Sequence, residues 1–553
     1  MEKNFRENLY SITYDGNLYN AKDIKKELIA LDYQFETTTD TEILLTSYIH
    51  WGKDCVSKFN GVFSFVIYNK NAKEVFLARD HFGVKPLYYT FVNETLYFAS
   101  EVKNILKDSE VKAKLDPNGI CELIGLGPAH TPGNGVFKDM YELKPAEFIV
   151  FNEAGIHKEK YWTLESKPHT DNLETTCKTV LELLESSMRS QVESDTGVCT
   201  FLSGGLDSSI ITTFANNYYK NNNLGKLNTF SVDYVDNAKN FVKSDFQPNS
   251  DEYYINIMTK KLGSKHTNIV IDTPELADTL EASMIARDFP GMADVDSSLL
   301  LFCKNVKPYS NIAISGECAD EIFGGYPWFF RGDCLNSGTF PWSLALNERE
   351  KILNPDLLEK INLKSYIDSK YEESLNEVVT LESDSADTAK IRKINHLTFN
   401  WFMQTLLDRS DRMANYCDFE VRVPFCDYKL IEYVWNIPWE MKSLNGREKG
   451  LLRHIMKDYL PDEIVNRKKS PYPKTHNPNY LAKVKDILSD IVSNPNSPIC
   501  SVLNRKYILE IMGSDGENFS RPWFGQLMTG PQLMAYLIQV NMWFEKYNPE
   551  ISI

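Results

Sequence analysis

The run FLSGGLDSSI, residues 201–210, constrains this chain more than any other stretch. The apolar residues 198–202 read as a short buried strand and residues 208–220 as a helix, so the chain must turn through Ser203-Gly204-Gly205. Glycines without a Cβ, small hydroxyls and the free N–H groups of a helix start form a cradle for phosphate. It is not a Walker cradle, because no Gly-x-x-x-x-Gly-Lys-Ser/Thr occurs and no lysine follows the glycines. Asp207 adds a condition, since a carboxylate beside a polyphosphate needs a divalent cation between them. The stretch therefore predicts a Mg-nucleotide whose phosphates are held by backbone and hydroxyl groups.

The surrounding pattern supplies a fold for that turn. Helix 173–192, strand 198–202, helix 208–220, strand 227–232, helix 252–262, strand 268–271, helices 274–286 and 297–306 and strand 311–314 alternate. Alternation of this kind predicts a parallel sheet with ligands at the carboxyl ends of its strands. Earlier residues behave differently: strands at 9–14, 61–68, 74–79, 95–99 and 147–151 come in runs, interrupted by helices at 21–31 and 40–51, the second with Asp40 as its N-cap. That predicts an α+β sandwich. The polar segment SKPHTDN separates the two patterns, giving domains at 1–165 and 171–553. The polar stretch 233–250 reads as a surface insertion near the site, and residues beyond 340 read as mostly helical, with apolar stripes at 396–407 and 531–546 that are core.

A second strand end repeats the chemistry of the first. Residues 311–314 run into Ser315-Gly316-Glu317-Cys318-Ala319-Asp320-Glu321, placing acids and small residues at another carboxyl end. Asp207 and Asp320 would each give one oxygen to Mg²⁺, leaving the remaining positions to phosphate and water. A basic run, Asn466-Arg467-Lys468-Lys469-Ser470-Pro471-Tyr472, offers a cation for negative charge developing at a phosphate. Composition narrows the partners. A formal charge of −16 over 553 residues argues against nucleic acid and anionic membranes, and the chain has neither a membrane-length apolar run nor a signal-peptide core. Ten scattered cysteines without a C-x-x-C pair predict reduced thiols in a cytoplasm.

SGGLDSS, SGECADEIFGG, RSDRMANYCDFEVRVPFCD and the basic run together resemble the synthetase domain of glutamine-dependent asparagine synthetases. Upstream, YDGNLYN, TTTDTEILL, GVFSFVIYN, ARDHFGVKPLYY and FASEVKNIL are similar, in order, to the later part of that family's glutaminase domain, an N-terminal-nucleophile hydrolase-like sandwich. The resemblance implies that an aspartate carboxylate attacks the α-phosphate of ATP, pyrophosphate leaves, and ammonia displaces AMP from the acyl-adenylate. It places Ser203, Gly205, Asp207, Ser208 and Ser209 in the pyrophosphate loop with Gly204, and puts Ser315 and Gly316 in the facing loop. Leu202 and Val232 would flank the adenine, and Asp320 would stand on the metal side. Glu317 would take a proton from attacking ammonia, Lys469 would stabilise adenylation, and Asp40 would bind the glutamine amine. Lys468 remains an alternative register for the lysine, and a homodimer remains an open assembly.

Relatives open with Met-Cys and carry Asn-Gly-Glu where this chain has Met1-Glu2 and Asp15-Gly16-Asn17. The expectation is an incomplete glutaminase-like domain, an Asp15 charge where an oxyanion would need stabilising, and ammonia as nitrogen donor. Two alternatives stand beside aspartate amidation: an amide ligase acting on diaminopimelate or a peptide side chain, and a non-catalytic remnant.

Overall fold

The computed structural model describes residues 1–5, 7–240, 250–473, 475, 477–519 and 521–552. Its first part is a six-stranded antiparallel sheet in the order β1 (Glu2–Phe5), β2 (Asn8–Leu18), β3 (Gly61–Asn69), β4 (Glu74–Arg79), β5 (Glu147–Asn152) and β6 (Gly155–Lys160). The unbroken apolar run of β3 is explained by cover on both faces. Phe63, Phe65 and Ile67 point to helices α1 (Ala21–Ala30) and α2 (Asp40–Trp51), whereas Val66 joins Leu77, Leu87, Tyr89 and Ile149 on the opposite face, towards a small three-stranded sheet. The expected sandwich is present, extended by β1, β6 and the strand Tyr88–Val92, which the sequence pattern left out.

The capping of α2 differs from the expectation. The N-cap of α2 is Thr39, and Asp40 is the first helical residue. The Asp40 carboxylate instead accepts the Leu18 N–H at 2.9 Å, because the end of β2 brings an unpaired donor to it.

The second part is a five-stranded parallel sheet built on β7 (Cys199–Phe201), β8 (Asn228–Tyr234), β9 (Lys265–Ile271), β10 (Ile312–Ile314) and β11 (Glu420–Arg422), in the spatial order β9-β8-β7-β10-β11. Central β7 pairs Cys199 with Asn228 on one side and with Ala313 on the other. Helices α3 (Leu173–Val192) and α4 (Leu206–Asn221) cover one face, packing Val180, Leu184, Ile210 and Ile211 against Ile312 and Ile314. On the other face Leu299 and Phe302 of α5 (Asp294–Val306) meet Cys199, Phe230 and Ala313. Short α6 (Ala319–Phe323) follows β10, and α7 (Gln404–Asn415) leads to β11. β11 is a strand inside the segment expected to be helical; three residues, Glu-Val-Arg, are too few to register as a period. The helix expected at 274–286 is two, Thr273–Asp278 and Leu280–Arg287.

The helical remainder contains α8 (Gly450–Met456) and α9 (Gly530–Tyr547). Its core takes in Trp342, Trp401, Phe402, Trp523 and Trp543, so the two apolar stripes are buried as expected. Of the polar insertion 233–250, residues 241–249 lie outside the described residues.

Candidate functional site

Two adjacent parallel strands, β7 and β10, end side by side, and the chain leaves both in tight turns. After β7, Gly204 adopts φ +69°, and a Cβ there would lie 2.6 Å from the Tyr254 Cβ. Gly205 caps α4 with its backbone alone, leaving the first N–H groups of the helix exposed to a ligand. The hydroxyls are pre-arranged: Ser203 and Ser208 Oγ atoms lie 3.1 Å apart, and the Gly205 N–H donates to Ser203 Oγ at 3.3 Å. After β10, Gly316 passes so close to the first loop that a Cβ would meet the Asp207 carbonyl carbon at 2.9 Å. Glycine at 316 is what lets the acids of the two loops approach.

Those acids, Asp207 and Asp320, face one cation. The Lys449 ammonium lies 2.6 Å from Asp207 and 2.7 Å from Asp320, and Lys469 bonds Asp320 from a second direction. Lys449, 2% exposed, immediately precedes α8 in left-handed conformation, φ +52°. Burial pushes the Asp320 carboxyl up, but the two ammonium groups outweigh it and hold the group well below the usual range. Asp207 shares only Lys449 closely, and burial together with the Asp320 charge raises it. Burial and Asp320 likewise push neighbouring Glu321 up to about 8, where its carboxylate accepts from the Tyr326 hydroxyl at 2.8 Å.

The donor set fits Mg²⁺ under one condition. Two carboxylates oriented to a common positive charge suit an ion that takes its remaining ligands from phosphate and water. Among the described residues no group of three or more His, Cys, Asp or Glu could hold a metal unaided.

A cavity of about 250 Å³ opens over the two loops. Of the residues expected at the site, Leu202, Ser203, Gly205, Asp207, Ser208, Val232, Ser315, Gly316, Glu317, Asp320 and Lys469 line it together. Gly204 and Ser209 do not line it: Gly204 shapes the turn from beneath, and Ser209 is fully buried in the first turn of α4. Asp40 lies apart, at the end of β2. Lys468 also reaches the cavity wall but is exposed, whereas Lys469 is half-buried on Asp320. Glu317 has one carboxylate oxygen 3.8 Å from Arg409, and its other, Oε2, is buried without a hydrogen-bond partner; burial raises its pKa against the pull of Arg409.

Sequence reasoning missed Lys449 and Arg409. A lysine in REKGLLR has no local signal of burial, and its place at the site arises only because the fold brings the residue before α8 between both acids. Arg409 was legible as part of the RSDRMANY run, without a position. Arg467 also acts here, donating to the Ser203 carbonyl at 2.9 Å and pairing with Asp251.

Comparison with known proteins agrees with this geometry. The asparagine synthase family model matches residues 179–545, and a glutamine amidotransferase domain model matches residues 3–162. The chain is 46% identical to asparagine synthetase [glutamine-hydrolyzing] 3 of Bacillus subtilis over 99% of its own length and 89% of the relative's. It is 27% identical to asparagine synthetase [glutamine-hydrolyzing] 1 of the same organism, over 92% and 82% of the two chains. It is 26% identical to the amidase chyE of Penicillium rubens, over 84% and 77%. Two acid-bearing glycine turns on neighbouring parallel strands, with family matches spanning both parts of the molecule, place this chain in the asparagine synthase family, as an ATP-dependent carbon–nitrogen ligase carrying a glutamine amidotransferase domain.

Proposed function

We propose that the chain amidates the side-chain carboxylate of aspartate through a β-aspartyl-AMP intermediate. A carboxylate oxygen bonds to the α-phosphorus of ATP and pyrophosphate leaves; ammonia then bonds to the acyl carbon, gives up a proton, and AMP leaves. The observation carrying this reading is the convergence of Asp207, Asp320, Lys449, Lys469 and Glu317 on one cavity at the ends of β7 and β10. The backbone and hydroxyls of residues 203–208 would bind the phosphates that depart, and Leu202 and Val232 would flank the adenine. Lys469 is positioned for charge developing at the phosphates, and Lys449 reaches the same place. Asp207 and Asp320 would hold Mg²⁺, which supplies neutralisation of the pyrophosphate charge. Glu317, with its pKa raised, is the better placed for accepting a proton from nitrogen.

For residues 1–553 the nitrogen donor is ammonia. The cysteines of the first 160 residues, Cys55 and Cys121, are fully buried, and burial raises both thiols, Cys121 to about 12. Asp15 lies 3.4 Å from Lys85, a lysine already committed to Asp411 at 2.7 Å. A division into parts at 1–165 and 171–553 is in keeping with the residues matched by the two family models. All ten cysteines are free, which supports a cytoplasmic setting. No helix among the described residues is long and apolar enough to cross a membrane.

Pyrophosphate exchange separates the two half-reactions, because it reports adenylate formation alone. Lys469→Ala should lower exchange roughly a hundredfold or more, and Glu317→Gln should keep exchange while losing amide formation. Exchange lost in Lys468→Ala and normal in Lys469→Ala would move the register by one. Ammonium with ATP and aspartate should give AMP in step with asparagine, while glutamine without ATP should give background glutamate. Glutamate release matching amide formation would overturn the ammonia reading.

A further inference from the structure

We propose that Arg409 is the anchor for the α-carboxylate of the amino-acid acceptor; this rests on the aspartate reading above. The cavity is ringed by cations, and most are committed. Lys449 and Lys469 lie on Asp207 and Asp320, Arg467 lies on Asp251 and the Ser203 carbonyl, and Lys468 is exposed. Arg409 differs. Its side chain is 5% exposed and lines the cavity, yet its Nη2 has no hydrogen-bond partner. A buried guanidinium nitrogen left unpaired is costly, and the cost is relieved by a ligand that supplies the acceptor.

The setting selects the ligand. The guanidinium stacks over the Tyr472 ring at 4.8 Å, its Nε faces Asp296 at 3.2 Å and its Nη1 stands 3.8 Å from Glu317. These contacts hold its plane and leave Nη2 as a charged donor without an acceptor, a group that a carboxylate oxygen would satisfy through a charge-assisted hydrogen bond. Val295 and Leu299 of α5, with Leu406 of α7, make the nearby wall apolar, so the charge would be read where water competes little. An acceptor with its activated carboxylate towards the phosphate loop and its second carboxylate on Arg409 would pass its acyl carbon beside Glu317. Arg409 would thus choose substrates with two carboxylates separated by a short chain, and Glu317 would stand where the amine attacks.

The test compares aspartate with β-alanine, which keeps the reacting carboxylate and the amine but lacks the α-carboxylate. In pyrophosphate exchange the wild type should prefer aspartate strongly. Arg409→Gln should cut the aspartate-to-β-alanine ratio roughly ten- to a hundredfold, mainly through the aspartate KM, with partial recovery in Arg409→Lys. A folded Arg409→Gln enzyme that loses both substrates equally, with the ratio intact, shows a purely structural arginine and overturns the proposal. If that variant does not fold, competition in the wild type decides: succinate should compete with aspartate and β-alanine should not. The reverse order overturns the anchor while leaving aspartate amidation standing. A wild type that exchanges with another carboxylate and not with aspartate overturns both.

Discussion

Asp320 and Glu321 are neighbours in sequence and titrate in opposite directions. Both are buried, but Asp320 points at two ammonium groups while Glu321 points at a tyrosine hydroxyl and at the Asp320 charge. For Asp320 the folded pKa lies below the unfolded one, so its stabilisation is present above pH 3.8 and is lost as pH falls further. For Glu321 the folded pKa of about 8 exceeds the ordinary 4.5. The folded state therefore holds a proton that the unfolded state has released, and stability falls as pH rises between those values. Glu321→Gln should keep the Tyr326 contact and remove that slope, making the variant more stable than the wild type at pH 8 by on the order of a few kcal/mol, and indistinguishable near pH 4. Melting temperature against pH for both proteins checks this; parallel curves would refute it. At this scale Asp207 and Asp320 were legible because each follows a strand and a small-residue turn. Lys449 was not, because nothing local distinguishes a lysine that will be buried from one that will be solvated.

Two strand–turn–helix units carry the acids, and their approach depends on one missing atom. Gly316→Ala places a methyl group against the Asp207 backbone, where neither loop can yield without breaking the Lys449 bridge. Overpacking of this kind costs about 1–3 kcal/mol, and here it also separates the acids, so exchange activity should fall with stability. Gly513→Ala, at a helical glycine with nothing within 4 Å, is the control and should be neutral or slightly stabilising. Unchanged exchange in a folded Gly316→Ala protein would show that the loops tolerate separation. The elements themselves were readable from periodicity where they were long, as in α3 and β3. Short β11 was invisible, yet it supplies the edge next to β10.

The two parts of the molecule are joined by buried polar contacts. Lys85, from the turn after β4, pairs with Asp411 of α7, each side chain 7% exposed; His81 stacks on Tyr428 at 4.2 Å, and Asn17 donates to Glu420 at 2.8 Å. Burial already raises Asp411 to about 6, with Lys85 opposing it. Lys85→Met removes the counter-charge and leaves that buried carboxyl its hydrogen bond from the Asn415 amide at 2.8 Å, a change that costs about 3–5 kcal/mol in comparable pairs. Without the opposing charge the Asp411 pKa rises further, so the loss of stability should be larger at pH 8 than at pH 5. Differential calorimetry at the two values measures it; an equal deficit at both would mean that Asp411 finds another partner.

Period and turn chemistry are local, and what they determine was available from the amino-acid order: a sandwich followed by a parallel α/β sheet, two phosphate-type turns and the acids upon them. Helix and strand pattern depend on neighbours within a few residues, so one sequence suffices. Convergence is not local. Lys449 reaching Asp207 across 242 positions, Arg409 left with an unpaired nitrogen in the cavity, Asp40 bonding a strand end instead of capping its helix, and Lys85 clasped by Asp411 were decided by packing alone. Each depends on which faces the apolar cores bring together, and on the cost of burying a charge unless the tertiary fold delivers a partner to it.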